Sequence, residues 1–116
     1  MSHNFESPDA NRFTEEFGAT VTRNITEGVW VIDFKEVTGK DLTFSYSPTD
    51  ASVRVRLCDN QEAVVDIFRE GAIRLRIESK EENSSIIAEF NDGMTSGALA
   101  VQIFPRIKIT DRMLFQ

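Results

Sequence analysis

The chain has 116 residues, 41% of them apolar and 28% charged, and its 19 Asp and Glu outnumber 13 Lys and Arg for a formal charge of −6. That length and apolar content suit one domain over residues 1–116 with a core of its own, and they fit neither a disordered chain nor two domains. The carboxylate surplus argues against a surface devoted to nucleic acid or anionic membrane. No apolar run approaches a membrane span or a signal peptide, so the expected location is cytoplasmic.

Residues 1–6 read as a mobile tail. They carry His3, the only histidine, where it lacks the fixed geometry that a general base needs. Ser7, Pro8 and Gly18 read as cap, first position and left-handed stop of a short helix whose Ala10, Phe13 and Phe17 form one apolar stripe. From Ala19 the apolar period changes to two. Trp30, Ile32 and Phe34 open a series that continues through Leu42 to Tyr46, Val53 to Leu57, Ala63 to Ile67, Ile73 to Ile77, Ile86 to Phe90 and Leu99 to Ile103, with Ile107 and Ile109 beyond. This predicts an all-β fold: an antiparallel sandwich or flattened barrel of about nine strands, with the N-terminal helix over an edge or an open end.

Loop parity sharpens the register, because apolar residues stay on one face of a hairpin only for certain loop lengths. The loop Ser47 to Asp50 sets Phe44 opposite Val53. The next, Asp59 to Gln61, sets Val55 opposite Val65; Arg69-Glu70-Gly71 reads as a bulged hairpin that sets Val65 opposite Leu75; and Ser79 to Ser84 sets Ile77 opposite Ile86. The result is one meander from Leu42 to Phe90 with a single apolar face. Gly93 and Gly97 bracket a flexible connection, Pro105 marks a bend or a switch of sheets, and Met113-Leu114-Phe115 is apolar enough to pack in the core or against a second copy, as in a homodimer.

The opposite face of that meander carries two rows. Thr43, Arg54, Asp66, Arg74 and Glu89 alternate in sign and read as a self-paired, solvated row. The second row places Arg56 and Arg76 around Val64, with Ile87 and Phe68 nearby and no acidic partner. Guanidinium groups beside exposed apolar side chains are a common interface composition, so Arg56, Val64, Phe68, Arg76 and Ile87 are the candidate partner-binding residues. An acidic loop tip at Glu81-Glu82, with Asp59 and Glu62, is the rival location.

Catalytic, metal and cofactor sites are not expected. Cys58 is the only cysteine, so neither an internal disulfide nor a cysteine metal cluster can form. Glu15-Glu16 and Glu81-Glu82 read as solvated charge, while Asn91-Asp92-Gly93 and Asp59-Asn60 read as turns without the acidic series of a calcium loop. Gly28-Val29-Trp30 opens a long strand after a short helix, and this is similar to the Gly-x-Trp opening of lipocalin-like up-and-down barrels. That resemblance implies an apolar barrel interior around a small-molecule ligand.

Two functional expectations follow. The first is a non-catalytic module that binds another protein, of the kind small bacterial inhibitor, immunity or accessory proteins represent. The second is a lipocalin-like carrier.

Overall fold

In the computed structural model, which describes residues 5–91 and 93–115 (the last by its backbone alone), the first described residues are tied down. The Phe5 ring lies 6.4 Å from that of Tyr46. Glu6 forms a parallel bridge to Arg74; its N–H donates to the Ile73 carbonyl at 3.0 Å, and its carbonyl accepts from the Leu75 N–H at 2.7 Å. Phe5 and Glu6 therefore depart from the expected mobile tail. Residues 1–4, with His3, lie outside the described residues, as does Asp92. Phe5 and Glu6 are held because an apolar ring finds a core and a bare strand edge finds backbone partners.

The first helix, α1, spans Asn11–Phe17, so it starts later than Pro8. The bridge at Glu6 keeps the preceding chain extended; Ser7 does not cap the helix, and the Asp9 carboxylate accepts from the Asn11 N–H at 3.1 Å. Gly18 ends α1 as expected, with φ 74° and its N–H on the Thr14 carbonyl. Phe13 and Phe17, four residues apart on one face, are both buried.

Five strands follow in one antiparallel sheet in chain order: β1 (Thr20–Asn24), β2 (Val29–Asp33), β3 (Asp41–Ser47), β4 (Ser52–Asp59) and β5 (Glu62–Glu70). A single helical turn, α2 (Lys35–Thr38), interrupts β2 and β3; the Asp33 carboxylate accepts the Lys35 N–H at 2.9 Å and Gly39 closes the turn with φ 75°. The second sheet holds β6 (Ala72–Lys80), β7 (Asn83–Asn91), β8 (Thr95–Phe104) and β9 (Lys108–Phe115), again in chain order. Nine strands in a sandwich agree with the expected fold class.

The meander breaks at Gly71. Instead of a bulged hairpin, Arg69-Glu70-Gly71 carries the chain from one sheet to the other, with Gly71 at φ 84° and the Ala72 N–H bonded to the Ala51 carbonyl at 2.9 Å. Val65 thus pairs with Leu57 and not with Leu75, which pairs with Ala88. The pairing of Ile77 with Ile86 is as expected. Phe44 faces Val55, and Val55 faces Ile67, each two residues from expectation, so every side chain keeps its face. The β4–β5 turn is only Asn60-Gln61, both with positive φ, and a bulge at Leu57/Cys58 absorbs the remaining offset. Pro105 does not mark a change of sheet; it sits in the β8–β9 turn, past the Gln102–Lys108 pair.

Between the sheets, Ile32, Phe34, Leu42, Phe44 and Val55 meet Leu75, Ile86, Ala88, Leu99 and Val101, all buried. The two sheets share no ladder, so the lipocalin-like barrel is corrected to an open sandwich filled by side chains. Trp30 does not line a ligand cavity. It is half-buried at the core margin, with the Arg23 guanidinium 5.2 Å from its ring centre. On the other margin an ion pair between Arg69 of β5 and Asp111 of β9 joins the edges of the two sheets.

Candidate protein-binding faces

Alternation along each strand decides which side chains look outward. In β4 the buried Val53 and Val55 alternate with Arg54 and Arg56, and in β6 the buried Leu75 separates Arg74 from Arg76. Because β5 and β6 belong to different sheets, these two pairs of arginines stand on opposite outer surfaces of the sandwich. The expected row through Arg54, Asp66 and Arg74 therefore does not exist. Asp66 is held by Arg54 in a two-pronged bond of 2.8 and 2.7 Å, and Arg56 of the same strand forms an ion pair with it at 3.5 Å. The hydrogen bonds from Arg54, joined by the charge of Arg56, hold the Asp66 carboxyl below its ordinary range.

The candidate partner-binding residues are divided in the same way. Arg56, Val64 and Phe68 are on the five-stranded sheet, and Arg76 and Ile87 on the four-stranded one. Nor are the arginines unpartnered: Arg76 donates to Glu89 at 2.9 Å and to Glu78 at 3.0 Å, while Arg56 leans on Asp66. Those two bonds raise the Arg76 pKa above its ordinary value, Glu89 contributing most, and that from Arg76 lowers the Glu78 carboxyl. The signal that identified these side chains, their exclusion from the apolar face, held within each strand. It carried no information about which sheet each strand joins.

Concave regions among the described residues include three clefts. On the five-stranded sheet, Val29, Val31, Thr43 and Ser45 floor a groove of about 460 Å3 walled by Arg54, Arg56 and Phe68. Sequence reasoning had singled out its walls but not its floor, because short residues on β2 and β3 carry no chemical signature. At the α2 end of the sandwich a second cleft of about 580 Å3 includes Lys40, Cys58, Val64 and Arg106. Val64, expected between the arginines, belongs to this end because the β4–β5 bulge displaces it. The third, by the acidic tip, is formed by Lys80 to Asn83; Glu81 and Glu82 there are exposed, as are Asp59 and Glu62 at the β4–β5 turn.

By side-chain size the outer surface of the four-stranded sheet is lowest along β8, which makes a shallow trough. Ala98 and Ala100 of β8 are its floor, flanked by Ile87 across one ladder and Thr110 across the other. Arg74 and Arg76 rise from β6 on one side, and Lys108 and Arg112 from β9 on the other. Glu89 receives both Arg74, at 3.5 Å, and Arg76, and Glu78 receives Arg76 and Lys80. Lys108 and Arg112 pair with no carboxylate among the described residues. None of the helices is long and apolar enough to cross a membrane.

No protein-family model matches this chain, and no curated protein does. Among solved structures, it is similar to a chain of the contact-dependent growth inhibition toxin–immunity protein complex from Klebsiella pneumoniae 342. The likeness has a TM-score of 0.84 at 15% identity and covers 97% of this chain and 100% of the other. At that identity it establishes a shared fold.

Proposed function

We propose that this chain is a non-catalytic protein-binding module of the immunity type, which neutralises the toxin of a contact-dependent growth inhibition pair by binding it. The observation that carries this reading is the fold likeness, which covers 97% of this chain and 100% of the other. Of the two roles in such a pair, the arrangement of this chain favours immunity. Its partly buried carboxylates Glu78, Glu89 and Asp111 are each held by a guanidinium group, which suits a rigid display surface better than proton transfer. A preformed sheet face also binds with little ordering cost.

The test is to sequence the genes flanking this chain's own and to co-express the chain with the toxin domain found there; flanking genes that encode no toxin would count against the reading. The expected outcome is restored growth, together with a complex of the two proteins that survives size exclusion. Unrelieved toxicity with no complex by calorimetry would remove the reading.

A further inference from the structure

The outer surface of the four-stranded sheet departs from the acidity of the chain as a whole. Among the described residues its outward positions carry Arg74, Arg76, Lys80, Lys108 and Arg112 against Glu78 and Glu89. This cationic excess sits on a chain of net charge −6. The outer surface of the five-stranded sheet has the reverse balance, with Arg54 and Arg56 against Asp33, Asp41, Asp66 and Glu70. Local charge of one sign over a defined surface steers a partner of the other sign.

Shape agrees with charge. β6 and β9 are the margins of the sheet, three strand spacings or about 14 Å apart; Arg74 and Arg76 reach over β7 to Glu89, and the low floor of Ala98 and Ala100 that remains beside β9 suits one extended segment. Ile87 offers an apolar contact inside the trough, and Leu114, 59% exposed, offers another at its end. The two sides differ in readiness. Guanidinium groups on β6 already hold carboxylates, whereas Lys108 and Arg112 on β9 hold none among the described residues.

We propose that this trough is the docking surface, and that its occupant is a carboxylate-rich segment of the protein partner. The segment lies over Ala98 and Ala100, and its acidic side chains reach Lys108 and Arg112. This rests on the immunity reading and adds to it the surface and the chemistry of the toxin side. A protein is favoured over a nucleic acid because short aliphatic side chains floor the trough, where stacking on bases would call for aromatic rings.

The experiment is calorimetric titration of the intact chain with the toxin domain identified in the flanking genes, and the lack of any such domain overturns both readings. Three proteins are compared: wild type, Lys108→Glu with Arg112→Glu, and Arg54→Glu with Arg56→Glu on the other sheet. The β9 pair of reversals should weaken binding by about tenfold or more, the β4 pair by no more than about twofold, and wild-type affinity should fall as NaCl is raised. Circular dichroism checks folding, and Lys108→Gln with Arg112→Gln replaces the reversals if they unfold. Wild-type affinity in the folded β9 variant, or equal losses in the two variants, overturns the surface while leaving the immunity reading intact. Failure of the wild type to bind the toxin domain overturns both. If a mixed-sequence single-stranded RNA binds the wild type and is lost in the β9 variant while the toxin is still held, the occupant is nucleic acid and the proposal is wrong.

Discussion

Tyr46 is the only tyrosine in the chain, and it is 2% exposed among Phe5 and Phe13. Burial, with a smaller contribution from the Asp9 charge, pushes its phenol up to about 12. The sign follows directly: an unfolded chain releases this proton near pH 10, so between about 10 and 12 the folded state holds it more tightly and stability declines as pH rises. Absorbance of the phenolate should therefore titrate near pH 12 in the native protein and near pH 10 in denaturant. A native midpoint near 10 would show the ring to be solvated. Gly97 is informative for steric reasons. A Cβ there would overlap the Arg112 carbonyl oxygen and lie 2.7 Å from the Met113 sulfur, so Gly97→Ala should cost about 1 to 3 kcal/mol in a denaturant titration. The sequence suggested only a flexible connection at Gly97, because a glycine inside a strand looks like a loop residue until its neighbour across the ladder is known.

At the level of elements, the strands were legible because their apolar residues recur with period two, and the β6–β7 hairpin was legible to the residue, Ile77 opposite Ile86. Two features escaped. The α2 turn is four residues long, too short for a helical period to register, and it depends on the Asp33 carboxylate and Gly39. The crossing at Gly71 escaped because Ile67 and Leu75 both face the core, one from each sheet, so parity is satisfied equally by a hairpin and by a change of layer. Leu75 is 2% exposed under the second sheet, and Leu75→Ala should cost roughly 2 to 5 kcal/mol by thermal or chemical unfolding. The Arg69–Asp111 pair, which joins two sheet edges, is partly exposed. A double-mutant cycle on it should return at most about 1 kcal/mol, which would mark it as a device that keeps a charge facing inward at an edge more than as a source of stability.

For the molecule as a whole, the candidate site was half legible. Arg76 and Ile87 do border a cationic surface, but Arg56 and Phe68 turn away from it with the other sheet, and Lys108 and Arg112 are not legible as its members because they follow the connection around Gly93 and Gly97, across which loop parity sets no register. The layering also has a topological consequence. Each sheet is a contiguous stretch of chain, β1 to β5 before Gly71 and β6 to β9 after it, and all ladders are between sequence neighbours. Among the described residues, only the bridge of Glu6 to β6 crosses that boundary as sheet pairing. A polypeptide arranged in this way can be divided: fragments 1–70 and 71–116, expressed separately, should each retain a full set of hairpins and reassemble through their apolar faces when mixed. Recovery of native near-ultraviolet circular dichroism only after mixing would demonstrate complementation. The Glu6 arm would then serve as a clasp, so that truncating fragment 1–70 before Ser7 should slow or weaken the reunion without altering either half alone.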